Sequence, residues 1–349
     1  MLTVKLTFNY DWPIFRQTPS FSGIWGDYKF IIDPNLKECD FWVVYTEYGL
    51  VKEKCICDKE NILFIPGEGY NTSNKYPTKF LDQFSKILTV QRQLVGKKVK
   101  YGQNGNPWFI EKNYDELLKL KPPTKTKIIS VISSNKSFTD GHQKRVEFVK
   151  KLKVYFGEKI DVYGRGINDF DKKWDVTAPY KFQIVIENDN TIDWVTEKLF
   201  DPILTYTYPI YYGCPNLNDY ISEKSFTRIN IDNFDESVKI IENLINDDSL
   251  YDDFQKNCNS YQKTYLNNHQ FFPTIVNTLN EMRSKNYNTK DLVILHGIEK
   301  YKNVSFFSRV KQILKKIIRK IFPSILIYLS KMYQKSYGNW QWLVGKFTK

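Results

Sequence analysis

The chain has 349 residues, 42% hydrophobic and 16% aromatic, enough for two domains with substantial cores. Five cysteines (Cys39, Cys55, Cys57, Cys214, Cys258) show no secretory disulfide spacing, and Cys55-Ile56-Cys57 lacks a second ligand pair, which argues against zinc. The net charge of +12 is localised. Residues 301–349 hold eleven of the 51 Lys and Arg and no Asp or Glu, leaving 40 basic against 39 acidic residues elsewhere, so the nearly neutral body gives no footprint for nucleic acid.

In chain order, the amino terminus MLTVKLTFNYDWP alternates as a strand at 4–9 and does not read as a signal peptide. Strands at 29–32, 41–45 and 62–65 follow, then a helical stretch at 76–86 and an apolar run at 87–90. Pro122-Pro123 marks a break. A second α/β series begins with a strand at 127–133 and a helix at 140–153, where Val146, Val149 and Leu152 recur at helical spacing. Strands at 160–163 and 182–188, a helix from near Trp194 to about Tyr206, a strand at 208–212 and helices at 237–245 and 272–282 complete it. No run approaches the roughly 20 apolar residues of a membrane span. The pattern predicts two Rossmann-like α/β domains.

The densest chemistry lies at 180–198, YKFQIVIENDNTIDWVTEK. Phe182, Ile184, Val185 and Ile186 form a run suited to a strand covered on both faces. Glu187, Asn188, Glu197 and Lys198 follow at its carboxyl end and at the next helix start. Open α/β sheets bind ligands there, and a helix amino terminus favours phosphate. Ser133, Ser134 and Asn135 end an earlier strand with hydroxyl and amide groups. Arg145, with Lys144 as the neighbouring alternative, lies in the helix that follows. Its planar guanidinium suits two phosphate oxygens. Asp161-Val-Tyr-Gly-Arg-Gly166 is read either as a close backbone approach to a ligand at Gly164 and Gly166 or as a plain turn. His142, His269 and His296 are scattered. Asp169-Phe170-Asp171 has an Asp-x-Asp form but sits in a charged stretch read as a solvated loop. No metal site is expected.

Residues 180–216, YKFQIVIENDNTIDWVTEKLFDPILTYTYPIYYGCPN, resemble the signature of the α-1,3/4-fucosyltransferases, glycosyltransferase family ten. The Y-K-F start, the E-N pair, the aromatic before V-T-E-K and the later P-I-Y-Y-G strand occur in order. The family's aromatic is usually Tyr; here it is Trp194. The resemblance implies a GT-B fold, two Rossmann-like domains facing a cleft: 1–115 on the acceptor side, 116–290 for the nucleotide-sugar, with a basic tail at 291–349. It implies an inverting fucosyltransferase of glycan biosynthesis or protein glycosylation, with GDP-fucose as donor, an oligosaccharide acceptor, an α-1,3 or α-1,4 product and no required cofactor. By the same resemblance, Arg145 and Lys198 hold the diphosphate. Asn188, Trp194, Ser134, Asn135 and Gly164 belong to the nucleotide-sugar site. Glu197 contacts ribose or the fucosyl ring, and Glu68, in Phe-Ile-Pro-Gly-Glu-Gly, is the general base. Alternatives are transfer from another GDP-sugar and a catalytically silent membrane-surface protein.

In the tail, Val310, Ile313, Leu314, Ile317, Ile318 and Ile321 share a helical face ringed by Lys and Arg, with Tyr328, Trp340 and Trp342 beyond Pro323. A basic amphipathic helix with nearby aromatics suits an anionic membrane surface, here through residues 309–342. The other reading packs that face on the body. Animal members of the family carry an amino-terminal anchor, and none is expected here. The chain therefore resembles a bacterial-type member, expected to be cytoplasmic and peripherally attached to the inner face of a membrane.

Overall fold

A computed structural model describes residues 1–302 apart from positions 11, 48–49, 70–75, 134–139 and 284–288. Residues 1–298 form one compact unit, separate from the segment that begins at Glu299. Ser134, Asn135 and the basic segment 309–342 lie outside the described residues.

The first half of the larger unit contains β1 (Leu2–Thr7), β2 (Ile24–Trp25), β3 (Tyr28–Ile31), β4 (Phe41–Tyr45), β5 (Lys52–Cys57), β6 (Ile62–Ile65), β7 (Lys86–Thr89) and β8 (Val99–Tyr101). Seven of them make one sheet in the order β2-β3-β1-β4-β6-β7-β8, parallel except for β2 against β3. FWVVY of β4 and ILFI of β6 are buried at every position, as parallel strands covered on both faces require. The stretch 76–86, expected as one helix, forms only α1 (Thr78–Leu81). The chain then turns so that Phe84 stacks on Phe64 at 4.8 Å, and β7 has begun by Lys86.

After α2 (Tyr114–Leu118), the second half contains β9 (Lys127–Ile132), α3 (Asp140–Phe156), β10 (Ile160–Tyr163), β11 (Tyr180–Ile186), α4 (Glu197–Leu204), β12 (Tyr208–Tyr212) and β13 (Thr227–Arg228). Its sheet is fully parallel in the order β10-β9-β11-β12-β13. In each half the chain builds outward on one side of its first strand and then crosses to the other. The switch points fall between β1 and β4 and between β9 and β11. Ligands bind outside the carboxyl ends of strands at such points. Two Rossmann-like halves of this kind make the GT-B architecture.

The hydrophobic cores do not follow the contiguous division expected at 115/116 and 290/291. Trp108, Ile110, Tyr114 and Leu117 pack into the second core. After α5 (Phe234–Asn246) and α6 (Ser249–Thr264), a π turn at Tyr265–His269 leads into α7 (Phe271–Arg283). Phe271, Phe272, Ile275, Leu279 and Met282 of α7 pack into the first core. β14 (Asp291–His296) then pairs antiparallel with β5. Helical spacing of apolar residues identifies α7 as a helix but carries no information about which sheet it covers.

Candidate active site

The second switch point gathers the charged residues. β11 ends at Ile186, so Glu187 and Asn188 emerge at its carboxyl end. Glu187 is 1% exposed and accepts from Thr196 N (3.0 Å), from Thr196 Oγ1 (2.8 Å to each carboxylate oxygen) and from Lys198 Nζ (3.3 Å). Thr196 is extended and caps α4, its hydroxyl accepting from Lys198 N. The helix therefore starts at Glu197, three residues later than expected. Lys198 Nζ is also 3.5 Å from Glu197. From α3, Arg145, buried at 5% exposure, donates to Asn188 Oδ1. Lys144 instead points outward to Asp232 at 2.8 Å. The structure thus brings Arg145, Asn188, Glu187, Glu197 and Lys198 together.

Burial pushes the Glu187 carboxyl above its ordinary range, against the pull of the Lys198 charge. Burial also acts on Glu197, but Lys198 and then Lys173 outweigh it and hold that carboxyl low. Burial disfavours the charged form of Lys198, yet Glu197 and Glu187 overcome it and raise the ammonium pKa. Burial lowers the Arg145 pKa, partly offset by Glu187. The result is a compact set of alternating charges at the capped start of α4.

Gly213, just after β12, has a packing reason. A Cβ there would lie 2.5 Å from both Glu187 Cγ and the Tyr211 hydroxyl. Gly164 follows β10 beside Ser133, whose N–H donates to Tyr163 O (2.8 Å), and closes a turn in which its own N–H donates to Asn168 O (2.9 Å). Asp169 Oδ1 accepts from Gly166 N (3.0 Å), capping that turn, and both Asp169 and Asp171 are exposed.

The carboxyl end of the first sheet faces this set. Glu68, exposed, follows β6, and its backbone carbonyl accepts from Gln91 Nε2 (2.9 Å). The Trp194 indole is 7% exposed and lies against Gly69, where a Cβ would meet it at 3.1 Å. Tyr45, at the end of β4, is raised above the ordinary phenol value by burial, then by the charges of Tyr10, Glu197 and Glu68, so both glutamates act on one hydroxyl. Asn106 spans the seam, its Oδ1 3.4 Å from the Tyr45 hydroxyl and its Nδ2 donating to Val195 O (2.8 Å). Lys173 pairs with the buried Asp201 at 2.5 Å, one turn beyond Glu197. Tyr45, Asn106 and Lys173 escape the sequence reading. Each is a lone residue in an unremarkable segment, and only folding brings it to the site.

Two parallel α/β halves whose strand ends meet around a buried cation–carboxylate set define a GT-B protein. The chain belongs to glycosyltransferase family 10: residues 122–297 match the model described as glycosyltransferase family 10 (fucosyltransferase) C-term. It is similar to an α-(1,3)-fucosyltransferase, FucT, of Helicobacter pylori (37% identity over 68 residues, 19% of this chain and 14% of the relative). It is also similar to the human GDP-fucose protein O-fucosyltransferase 3 (30% over 126 residues, 31% of this chain and 26% of the relative). The matched segments thus span about a quarter or less of these relatives' own lengths. A crystal structure of an α1,3-fucosyltransferase with GDP-fucose aligns over 83% of this chain and 92% of its own, at 17% identity and a TM-score of 0.47.

Proposed function

We propose that the protein is an inverting fucosyltransferase that moves L-fucose from GDP-fucose to a hydroxyl of a glycan acceptor, forming an α-1,3 or α-1,4 linkage. The observation that carries this reading is the Arg145–Asn188–Glu187–Lys198 set at the carboxyl end of β11, inside the segment that matches the family. The donor is supported by the human relative, a GDP-fucose protein O-fucosyltransferase, and the α-1,3 linkage by the H. pylori relative, an α-(1,3)-fucosyltransferase.

Departure of GDP builds negative charge on the diphosphate, which Arg145, Lys198 and the N–H groups at the start of α4 meet. Asn188 and Trp194 contact ribose or sugar, with Ser134, Asn135 and Gly164 completing the nucleotide-sugar site. Glu197, kept ionised by Lys198 and Lys173, stabilises positive charge developing on the fucosyl ring. Glu187 touches Thr196 and Lys198 and fixes their positions from below. Glu68 takes the proton of the attacking acceptor hydroxyl from the opposite face. Charge on the leaving group is thus met by side chains and backbone. The proposed reaction needs no metal ion, and Asp169 caps a turn through one carboxylate oxygen.

Calorimetry of GDP binding in EDTA tests the site. Full-length protein should bind GDP, and Arg145→Ala and Lys198→Ala should each weaken transfer by about two or more orders of magnitude with the fold intact. Near-normal turnover in both variants would move the site elsewhere. Activity lost to EDTA and restored by manganese would return Asp169 and Asp171 to consideration.

The basic segment 309–342 is proposed to hold the enzyme on an anionic membrane surface at the cytoplasmic face. Eleven positive charges in 301–349 with no acidic counterweight support this reading. Among the described residues, no helix is long and apolar enough to cross a membrane.

A further inference from the structure

The loop that leads into α4 is gripped from the first half as well as from its own. Asp193 has φ +68°, a left-handed conformation that a non-glycine residue keeps only where its surroundings over-determine it. Three such restraints come from the second half. Asp193 N donates to Asn216 Oδ1 (2.8 Å), and its carboxylate accepts from Asn216 Nδ2 (2.8 Å) and from the Tyr220 hydroxyl (2.5 Å). The fourth crosses the seam: Arg92 forms an ion pair with Asp193 Oδ2. The Arg92 guanidinium also lies 4.3 Å over the Tyr101 ring, which orients it toward its partner.

Arg92 follows Gln91, which is fully buried and donates to the backbone carbonyl of Glu68 (2.9 Å). The segment 91–92 therefore holds the Glu68 loop with one residue and the loop before Glu197 and Lys198 with the next. Gly69 against the Trp194 ring closes the same seam one residue further along both loops.

We infer that Arg92 is a positioning residue for sugar transfer: through Asp193 and Gln91 it sets the separation between Glu68 and the Glu197–Lys198 end of α4. This rests on the roles proposed above for those three residues. An ion pair whose arginine is 37% exposed adds little to global stability. Relative placement of base and donor site is a steeper lever, since a displacement of about 1 Å costs up to about 100-fold in rate.

The test compares full-length wild type with Arg92→Gln, Arg92→Lys and a distant surface control, Lys256→Ala. Hydrogen exchange of the amides of residues 193–196 reports the clamp without any assumption about activity. These amides should exchange at least about tenfold faster in Arg92→Gln, and near wild-type rates in Arg92→Lys and the control. At saturating GDP-fucose, kcat should fall at least about tenfold in Arg92→Gln and recover in Arg92→Lys. GDP affinity should stay within about threefold, because the groups proposed to hold the diphosphate keep their partners in the second half. Unchanged exchange in Arg92→Gln overturns the inference, as does faster exchange with unchanged kcat. A wild type that transfers no fucose refutes the proposed function instead, and exchange still decides whether the clamp exists.

Discussion

Replacing Lys198 with Met isolates the charge balance beneath the site. The Glu187 side chain is 0% exposed, and Lys198 Nζ at 3.3 Å is its cationic partner. Removing one member of a buried pair costs about 3–5 kcal/mol when the survivor is left without partners. Thr196 N and Oγ1 still donate to Glu187 in the variant, and Lys198 is itself 26% exposed. A loss of about 2–3 kcal/mol near pH 8 is therefore expected. The loss must depend on pH. Burial already raises the folded-state pKa of Glu187, and removing the lysine that pulls it down raises it further. A raised carboxyl contributes stability that is fully present below the unfolded value of about 4.3 and lost as pH rises through the folded value. The gap between wild type and variant should therefore be widest at neutral to alkaline pH and close toward about pH 4, by about 1.4 kcal/mol per unit of added shift. Guanidinium denaturation of both proteins from pH 4.5 to 8 measures it. A gap that stays constant over this range would refute the coupling of Glu187 to Lys198.

Glu68→Ala should lower transfer by about 10²–10⁴-fold and leave GDP affinity unchanged, measured by initial rates and calorimetry on the same preparation. Gly213→Ala forces a methyl to 2.5 Å from Glu187 Cγ; it should destabilise the protein by about 1–3 kcal/mol in chemical denaturation and impair transfer. Lys173→Met removes a charge that helps hold Glu197 ionised. Since the Glu197 pKa is depressed, its loss of charge on acidification should move to higher pH in the variant, seen as an upward shift of the acidic limb of kcat. Truncation after Lys302 should abolish sedimentation with phosphatidylglycerol vesicles and preserve turnover on a soluble acceptor. Each cation lost from the membrane surface removes about 1 kcal/mol of binding, and high salt should weaken the full-length protein likewise.

Much of this arrangement is written locally in the chain. Strands at 41–45, 62–65, 160–163 and 208–212 have the bounds expected of them, because short apolar runs flanked by polar or turn residues leave little choice of register. The donor segment is legible for the same reason: Glu187, Thr196, Glu197 and Lys198 lie within twelve residues, and one strand-to-helix connection brings them together. What escapes is what depends on distance. KEKCIC of β5 is a short amphipathic strand whose partner β14 comes more than 230 residues later. SLYDDFQKNCNSYQKT of α6 is too polar to stand out, yet Tyr251, Phe254, Cys258 and Tyr261 line one buried face of it. Arg92 sits in an unremarkable loop, and it meets Asp193 of the 180–198 segment only because two sheets present their carboxyl ends to each other. Trp194 and Val195 look helical in sequence, but the left-handed Asp193 and the Thr196 cap make α4 begin only at Glu197.

The most direct test is transfer itself: full-length protein with radiolabelled GDP-fucose, a panel of β-galactosyl-N-acetylglucosamine acceptors and EDTA throughout. The account predicts labelled fucose on an acceptor hydroxyl with inverted, α configuration, and loss of that product in Lys198→Ala. Absence of transfer to every acceptor together with absence of GDP binding, or efficient transfer from GDP-mannose in place of GDP-fucose, would contradict it.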